Sequence, residues 1–217
     1  MAKLYFRYGA MNSGKSTGLL QAAHNYEERG QRVLLAKPAL DTKGASEIVS
    51  RLGVTRTVDF LIGAQDDLRE LFGQHAAAST PGTLLDDADE DAARALRSGV
   101  KPVACLLVDE AQFLTPEQVD DLLRIAVLDN VPVLAYGIRT DFRVRAFPGS
   151  ARLMDIAHSL EELKTICRCG RKAVFNTRRI GDEIVFDGDQ VAIEQAEVTY
   201  ESLCAACYLD ASGGRLG

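Results

Sequence analysis

Residues 9–16 read Gly-Ala-Met-Asn-Ser-Gly-Lys-Ser, and this stretch decides the fold. It matches the pattern G-x-x-x-x-G-K-[ST], in which glycines let the backbone wrap around phosphate groups and the lysine reaches the β- and γ-phosphates. Residues 3–8 before it have the pattern of a short strand, and residues 16–29 after it indicate a helix that ends at Gly30. This setting places phosphate at the positive end of the helix. The predicted ATP contacts in the loop are Gly9, Ala10, Met11, Asn12, Ser13, Gly14, Lys15 and Ser16.

A second motif stands downstream, where the apolar run VACLLV (103–108) ends abruptly at Asp109. In open α/β sheets the ligand binds at the carboxyl ends of the strands, so we expect the Asp109 carboxylate at that edge. There it would hold Mg²⁺ together with the hydroxyl of Ser16. Glu110 is then the nearest free base, able to take the proton from an attacking hydroxyl or water. The Asp-Glu pair suits ATPases as well as kinases, so it leaves the acceptor open.

Further apolar segments of strand length occur at 32–36, 56–60 and 131–136, and residues 65–77 have a helical pattern. Another helix is predicted to begin after Thr115, because Thr115-Pro116-Glu117-Gln118 has the residue types of a capping box with proline in the first turn. Continuous apolar strands that alternate with helices indicate a parallel sheet covered on both faces. The sequence therefore predicts an α/β fold with a parallel sheet.

Composition narrows the class of protein. The chain has 217 residues, of which 47% are hydrophobic and 26% charged, as in ordinary globular domains. Its formal net charge of −6 argues against broad nucleic-acid binding, which requires a basic surface. No apolar run approaches the roughly 20 residues that span a bilayer, and the start lacks the apolar segment of a signal peptide. We therefore expect a cytoplasmic protein with no membrane or nucleic-acid partner.

Four of the five cysteines form two close pairs, Cys167/Cys169 and Cys204/Cys207, and Cys105 lies inside an apolar strand. In a reducing compartment such spacing indicates a metal site rather than disulfides. Four thiolates on two tight turns predict a closed, structural Zn²⁺ site; two unrelated pairs of free thiols are the alternative.

The character of the sequence changes near residue 160, where short strands, glycines and cysteine pairs replace strong helices. We predict a nucleotide-binding domain over 1–158 and a zinc-binding domain over 159–217. The second domain carries six basic side chains and no acid within residues 164–179. These basic side chains would either bind nucleic acid or offset the negative charge of the four thiolates and of acidic neighbours. The near absence of aromatic side chains in this stretch favours the second explanation.

Several motifs in this order resemble type II thymidine kinases of bacteria. They are the phosphate loop with Met-Asn-Ser inside it, VDEAQF (108–113), YGIRTDF (136–142) and the closing cysteine pairs, so the resemblance covers about residues 3–208. It implies a RecA-like P-loop domain and a small C-terminal zinc-ribbon domain with a lasso loop, which we expect at about 139–150. It also implies pyrimidine salvage by transfer of the γ-phosphate of ATP to the 5′-hydroxyl of thymidine or deoxyuridine, in a homotetramer.

The resemblance further implies roles for individual residues. Glu110 would be the catalytic base, and the ATP contacts would extend to Asp109 and Gln112. The residues implied around the nucleoside are Met11, Phe113, Phe142, Val191, Ile193 and Tyr200. This sequence departs from the family where Ile193-Glu194-Gln195 replaces Ile-Gly-Gly, and where one residue, not two, separates the first cysteine pair.

Two other functions compete with the kinase. A RecA-like ATPase stimulated by nucleic acid would use the basic stretch as its grip, but the net charge opposes it. A zinc-ribbon adaptor without catalysis is opposed by the complete set of Lys15, Ser16, Asp109 and Glu110. Residues 78–101, which are rich in Ala, Asp and Gly, indicate a surface insertion. Arg51 is a further candidate for a contact with phosphate.

Overall fold

The computed structural model of the chain describes residues 1–40, 46–78, 102–181, 183–186, 188 and 198–216. The helices are α1 (Lys15–Glu27), α2 (Leu68–Ala77), α3 (Pro116–Leu128), α4 (Pro148–Ile156) and α5 (Ala205–Ser212). The strands are β1 (Leu4–Tyr8), β2 (Arg32–Pro38), β3 (Glu47–Val49), β4 (Thr55–Thr57), β5 (Phe60–Ile62), β6 (Val103–Val108), β7 (Val133–Gly137), β8 (Ser159–Glu162), β9 (Thr165–Ile166), β10 (Lys172–Ala173), β11 (Phe175–Ile180), β12 (Glu183–Val185) and β13 (Val198–Leu203).

Six strands form one parallel sheet in the order β5-β2-β6-β7-β1-β8. The predicted α/β fold with a parallel sheet is thereby confirmed. Because all six strands run the same way, their carboxyl ends share one edge, which holds the phosphate loop after β1 and Asp109 after β6. Strand β7 lies between those two strands, so residues after Gly137 emerge between the loop and the acid.

Both faces of the sheet are covered, as the continuous apolar strands require. On one face, α2, α3 and α4 pack on β-strand residues such as Leu106 and Val108, and Leu122 of α3 is completely buried there. On the other face, α1 packs on β6 through Leu19 and Cys105. Cys105 is therefore a small core residue, as its position in the apolar run predicts. Burial raises the pKa of its thiol to about 12, which keeps it neutral.

Local sequence signals explain where the helices begin. Thr115 accepts a hydrogen bond from the Gln118 amide at 3.2 Å, and the Gln118 side chain accepts one from the Thr115 amide at 3.1 Å. With Pro116 in the first turn, this is the predicted capping box of α3, which is confirmed. Asp67 caps α2 through the Glu70 amide at 2.8 Å.

Among its described residues, the chain beyond residue 158 builds smaller sheets and one helix. Strands β12, β11 and β13 form an antiparallel sheet, and β9 pairs with β10. Strand β8 pairs with β1, so the main sheet takes its edge strand from beyond the predicted boundary between 158 and 159. The expectation of no strong helix in this part is wrong, because α5 begins at Ala205. Cys204 is its N-cap, and the Cys204 thiol accepts from the Cys207 amide. The division into two domains otherwise stays a prediction.

The segment predicted as a lasso, about 139–150, folds differently from an open loop. Thr140 and Ala146 form a bridge, and the Asp141 carboxylate accepts hydrogen bonds from the Arg143 and Arg145 amides at 2.9 Å each. Residues from Pro148 onward belong to α4. Placing the lasso here is therefore wrong at least for residues 148–150. Residues 79–101 of the predicted insertion lie outside the described residues.

Candidate active site

The phosphate loop joins β1 to α1 in a shape that needs glycine at two positions. Gly14 caps α1 with a φ of 77°, in the left-handed region that costs other residues about 1 kcal/mol or more. A Cβ on Gly9 would lie 2.5 Å from the carbonyl oxygen of Leu163, so no larger residue fits. The Ser13 hydroxyl is buried and has no hydrogen-bond partner among the described residues. Such a group fits a phosphate oxygen as its missing partner.

Lys15 lies in the same loop, buried, with its amine donating to the Ala10 carbonyl at 3.0 Å. Burial lowers the pKa of this amine, against the attraction of the Glu110 and Asp109 carboxylates, and the nearby Arg51 lowers it further. A cation thus faces two carboxylates across the carboxyl edge of the sheet. Phosphate oxygens would add negative charge at this lysine and favour its charged form.

The two residues predicted for magnesium lie side by side. The Ser16 hydroxyl donates to Asp109 Oδ2 at 3.0 Å. Burial and the adjacent Glu110 raise the pKa of Asp109 from 3.8 to about 7, although hydrogen bonds from Ser16 and from the Glu110 amide favour its charged form. A hydroxyl and a carboxylate are the hard oxygen donors that Mg²⁺ prefers. The residues present therefore fit the ion, whose charge would favour ionised Asp109.

Glu110 adopts a backbone conformation unusual for its type, with φ 49° and ψ 37°. This left-handed geometry starts the 3₁₀ turn Ala111–Phe113 and stores strain of the kind often found at functional sites. Gln112 holds the side chain in place: its amide nitrogen donates to Glu110 Oε2, and its amide oxygen accepts from the Ile138 backbone at 3.1 Å. Gln112, predicted as an ATP contact, thus links Glu110 to the residues after β7.

The predicted nucleoside residues are brought together only in part. Phe142 and Tyr200 lie near one guanidinium, since the Arg178 Cζ is 3.9 Å from the Phe142 ring centre and 5.9 Å from that of Tyr200. Phe113 instead packs edge-on against Phe147 at 5.6 Å. Val191 and Ile193 lie outside the described residues. Sequence reasoning counted Arg178 among the basic stretch but missed its place between the two aromatic side chains.

Met11 connects the phosphate loop to the C-terminal sheet. Its backbone amide donates to Asn176 Oδ1 at 2.7 Å, and its carbonyl accepts from the Ser202 hydroxyl at 2.6 Å. Asn176 also donates to the Thr140 carbonyl at 3.0 Å. Sequence reasoning missed both side chains, because an ordinary Asn and Ser in strands give no signal until the strands are paired.

The four paired cysteines converge on one point. Their sulfur atoms all lie within 4.8 Å of one another, and the Cys169 and Cys204 sulfurs are 3.5 Å apart. Tetrahedral zinc with bonds of about 2.3 Å to sulfur needs sulfur atoms about 3.8 Å apart. Cys167, Cys169, Cys204 and Cys207 therefore fit a closed Zn²⁺ site. Their sulfurs leave no position for a substrate, so the site is structural in kind.

Acidic partners occupy much of the basic stretch. Arg168 and Arg179 lie 3.8 and 3.4 Å from the Glu201 carboxylate, and Lys172 pairs with Glu162. Arg178 is buried at the aromatic rings. These contacts favour charge compensation, rather than nucleic-acid binding, as the role of the basic stretch.

No helix in the described part of the chain combines the length and apolar character needed to cross a membrane. A parallel α/β sheet with a P-loop, a serine–carboxylate pair beside it and a cluster of four cysteines defines a P-loop protein whose C-terminal module has the ligands to hold a metal ion.

Comparison with known proteins specifies the family. The family model described as thymidine kinase matches residues 2–75 and 73–208. A thymidine kinase of Ruegeria pomeroyi is 43% identical over 98% of this chain and 96% of its own length. That of Idiomarina loihiensis is 44% identical over 99% of this chain and 100% of its own, and that of Enterobacteria phage T4 is 43% identical over 94% of both. The chain belongs to the thymidine kinase family.

Proposed function

We propose that this protein is an ATP-dependent deoxynucleoside kinase. It transfers the γ-phosphoryl group of ATP to the 5′-hydroxyl of thymidine, or of deoxyuridine, and forms the nucleoside monophosphate of pyrimidine salvage. One observation carries the proposal: the Ser16 hydroxyl lies 3.0 Å from Asp109, and Glu110 follows in a left-handed turn, in a chain of the thymidine kinase family. The same edge of the sheet thus offers a phosphate loop, a magnesium pair and a free base.

On the ATP side, the residues from Gly9 to Ser16 bind the triphosphate. Backbone amides of the loop and the N-terminus of α1 face phosphate oxygens, and the buried Ser13 hydroxyl gains the partner it lacks among the described residues. Lys15 moves from the Ala10 carbonyl to the β- and γ-phosphates. Ser16 and Asp109 would hold Mg²⁺, which would supply positive charge beside the transferring phosphoryl group. Gln112 keeps its link to Glu110 in this arrangement.

On the acceptor side, Glu110 takes the proton of the 5′-hydroxyl as that oxygen attacks the γ-phosphorus in line, and ADP leaves as the bond from the γ-phosphorus to the bridging oxygen breaks. The contact with Gln112 orients the carboxylate, and the left-handed turn at Glu110 keeps it beside Asp109. Phe142 stacks on the pyrimidine and Tyr200 lies near the sugar. Met11, Phe113, Val191 and Ile193 complete the proposed nucleoside pocket.

The proposal extends to the setting of the enzyme. Zn²⁺ on the four cysteines stabilises the C-terminal module, whose own apolar core is small. The protein works as a cytoplasmic homotetramer. It has no nucleic-acid partner, because the basic side chains Arg168, Arg179 and Lys172 already have carboxylate partners.

The test is transfer of labelled γ-phosphate, with thymidine, deoxyuridine, deoxycytidine, single-stranded DNA and water as separate acceptors. We expect rapid formation of thymidine monophosphate when thymidine is present, and little ATP hydrolysis when it is absent. ATP hydrolysis that rises with DNA, and no labelled nucleotide, would instead establish the ATPase and refute the kinase.

The role of Glu110 is tested by Glu110→Gln, which keeps the size of the side chain and removes the base. We expect turnover to fall by about 10²–10⁴-fold. The dissociation constant of a non-hydrolysable ATP analogue should change less than about twofold, because no ATP contact is removed. Glu117→Gln, an exposed residue of α3, is the matched control and should keep full activity. Unchanged turnover in Glu110→Gln would show that another group takes the proton.

A further inference from the structure

Both backbone polar groups of Met11, in the middle of the phosphate loop, are held by side chains of the C-terminal sheet. The Met11 amide donates to Asn176 at 2.7 Å and its carbonyl accepts from Ser202 at 2.6 Å. A loop residue normally finds such partners in its own loop or in water. Here they come from residues more than 160 positions away, which makes the contact a connection between two parts of the chain.

Asn176 and Ser202 act as one unit because they lie directly opposite each other in the pairing of β11 with β13. Both side chains are buried, with exposed fractions of 3% and 7%. Asn176 uses its second polar atom on the Thr140 carbonyl at 3.0 Å, which fixes the orientation of its amide. The Thr165 hydroxyl also reaches the Asn12 carbonyl, at 3.4 Å.

These contacts fix the backbone at Met11 and Asn12, in the middle of the phosphate loop. Asn12 has a φ of 66°, a left-handed conformation that persists in a non-glycine residue only when its surroundings hold it. The two bonds on Met11 determine the orientation of the peptide groups just before this turn. The amides that follow then point into the loop, where phosphate binds.

We propose that Asn176 and Ser202 are positioning residues that hold the phosphate loop in its ATP-binding shape, so that the cysteine-bearing module forms part of the ATP site. This inference rests on the proposed kinase function for its biological meaning. The link to the module is direct, because Ser202 lies in β13 and Cys204 immediately follows the end of that strand. Asn176 extends the link through Thr140 to the turn that carries Phe142.

The experiment compares Asn176→Ala and Ser202→Ala with Thr199→Ala, which removes an exposed hydroxyl from the same strand. Binding of a non-hydrolysable ATP analogue is measured by calorimetry, and amide hydrogen exchange is followed by residue. We expect the dissociation constant to rise about fivefold for each removed hydrogen bond, and to stay unchanged in Thr199→Ala. Exchange of the Met11 amide should accelerate about fivefold or more in Asn176→Ala.

Global destabilisation predicts a different pattern, with faster exchange along all of β11 and β13. Ser202→Thr restores the hydroxyl and should recover the affinity for the analogue. Unchanged affinity and unchanged Met11 exchange in the two alanine variants would overturn the proposal, and so would a loss of affinity that accompanies unfolding of the strands. Analogue binding does not depend on the acceptor. A wild-type protein that fails to phosphorylate thymidine would therefore refute the kinase while leaving this test intact.

Discussion

Replacing Asp109 by Asn removes one negative charge from the buried edge of the sheet and preserves the shape of the side chain. The carboxylate is 4% exposed, accepts from the Glu110 amide at 3.0 Å and faces the Ser16 hydroxyl. The asparagine oxygen can keep the first bond, and its amide can donate to Ser16, whose hydroxyl also accepts. The substitution therefore isolates the effect of the charge.

The raised pKa of Asp109 gives the size and the sign of the effect. Its rise from 3.8 to about 7 corresponds to roughly 4 kcal/mol of unfavourable charging in the folded protein. Below pH 3.8 the carboxyl is neutral in both states and contributes nothing. Between there and about pH 7 the folded state keeps the proton that the unfolded state has lost, so stability falls as pH rises. Above pH 7 the full penalty remains. Asparagine has no ionisable group, so the variant does not have this charging penalty at any pH.

We expect Asp109→Asn, without magnesium or nucleotide, to be more stable than the wild type by about 2–4 kcal/mol at pH 8. The lower value of this range allows for Lys15, whose charged amine loses the favourable interaction with the Asp109 carboxylate. The difference should shrink steadily towards pH 4. Urea unfolding at pH 4.5, 6, 7 and 8.5 measures it, in buffer to which neither magnesium nor nucleotide is added.

The control is Asp129→Asn, which removes a surface carboxylate paired with Arg69 and should change stability by less than about 1 kcal/mol at every pH. Kinase activity of Asp109→Asn should be lost at all pH values. If this variant were equally or less stable at pH 8, or if its advantage did not vary with pH, the buried charge would not be a source of instability.

Three other outcomes are expected. Thr115→Ala removes the cap of α3 and should lower the free energy of unfolding by about 1 kcal/mol in urea titrations, with activity retained; an unchanged midpoint would contradict the role of the cap. Phe142→Leu should raise the KM for thymidine about tenfold and leave that for ATP within twofold, because it removes aromatic stacking from the proposed nucleoside pocket; a parallel rise in both constants would indicate a general packing defect. Removal of zinc by a strong chelator should release one ion per chain and lower the melting temperature, with Cys204→Ser as the variant that binds no ion tightly; absence of zinc from the purified protein would contradict the site.

The sequence predicts those parts of the fold that local chemistry determines. The phosphate loop, the strand that ends at Asp109 and the capping box at Thr115 each depend on neighbouring residues, and the structure has them in place. Strand β8, Ser-Leu-Glu-Glu, escaped prediction because an edge strand with one sheet neighbour keeps polar side chains and shows no continuous apolar run. Helix α4 is short and begins after Phe147, which makes no side-chain cap.

The residues of the site also fall into those that local sequence motifs predict and those that only the three-dimensional structure shows. Ser16, Asp109 and Glu110 follow motifs and meet where parallel strands end, so their proximity is predictable. The roles of Asn176 and Ser202 depend on strands β11 and β13 being paired in one particular register and packed on a distant loop. Hydrophobic periodicity carries no information about such a contact. The resemblance to a family supplied Phe142 and Tyr200, but the guanidinium between them could be seen only in three dimensions.

The features that weaken this fold are concentrated at one edge of the sheet. Glu110 has a left-handed backbone, Asp109 is a buried carboxylate, and the amine of Lys15 is buried against a carbonyl oxygen. A sequence selected for stability alone would have none of them, since each adds unfavourable free energy in the absence of ligand. The two hydrophobic clusters on the faces of the sheet offset this instability. ATP and magnesium would offset the cost of the buried charges by pairing with them, so that ligand binding also stabilises the fold.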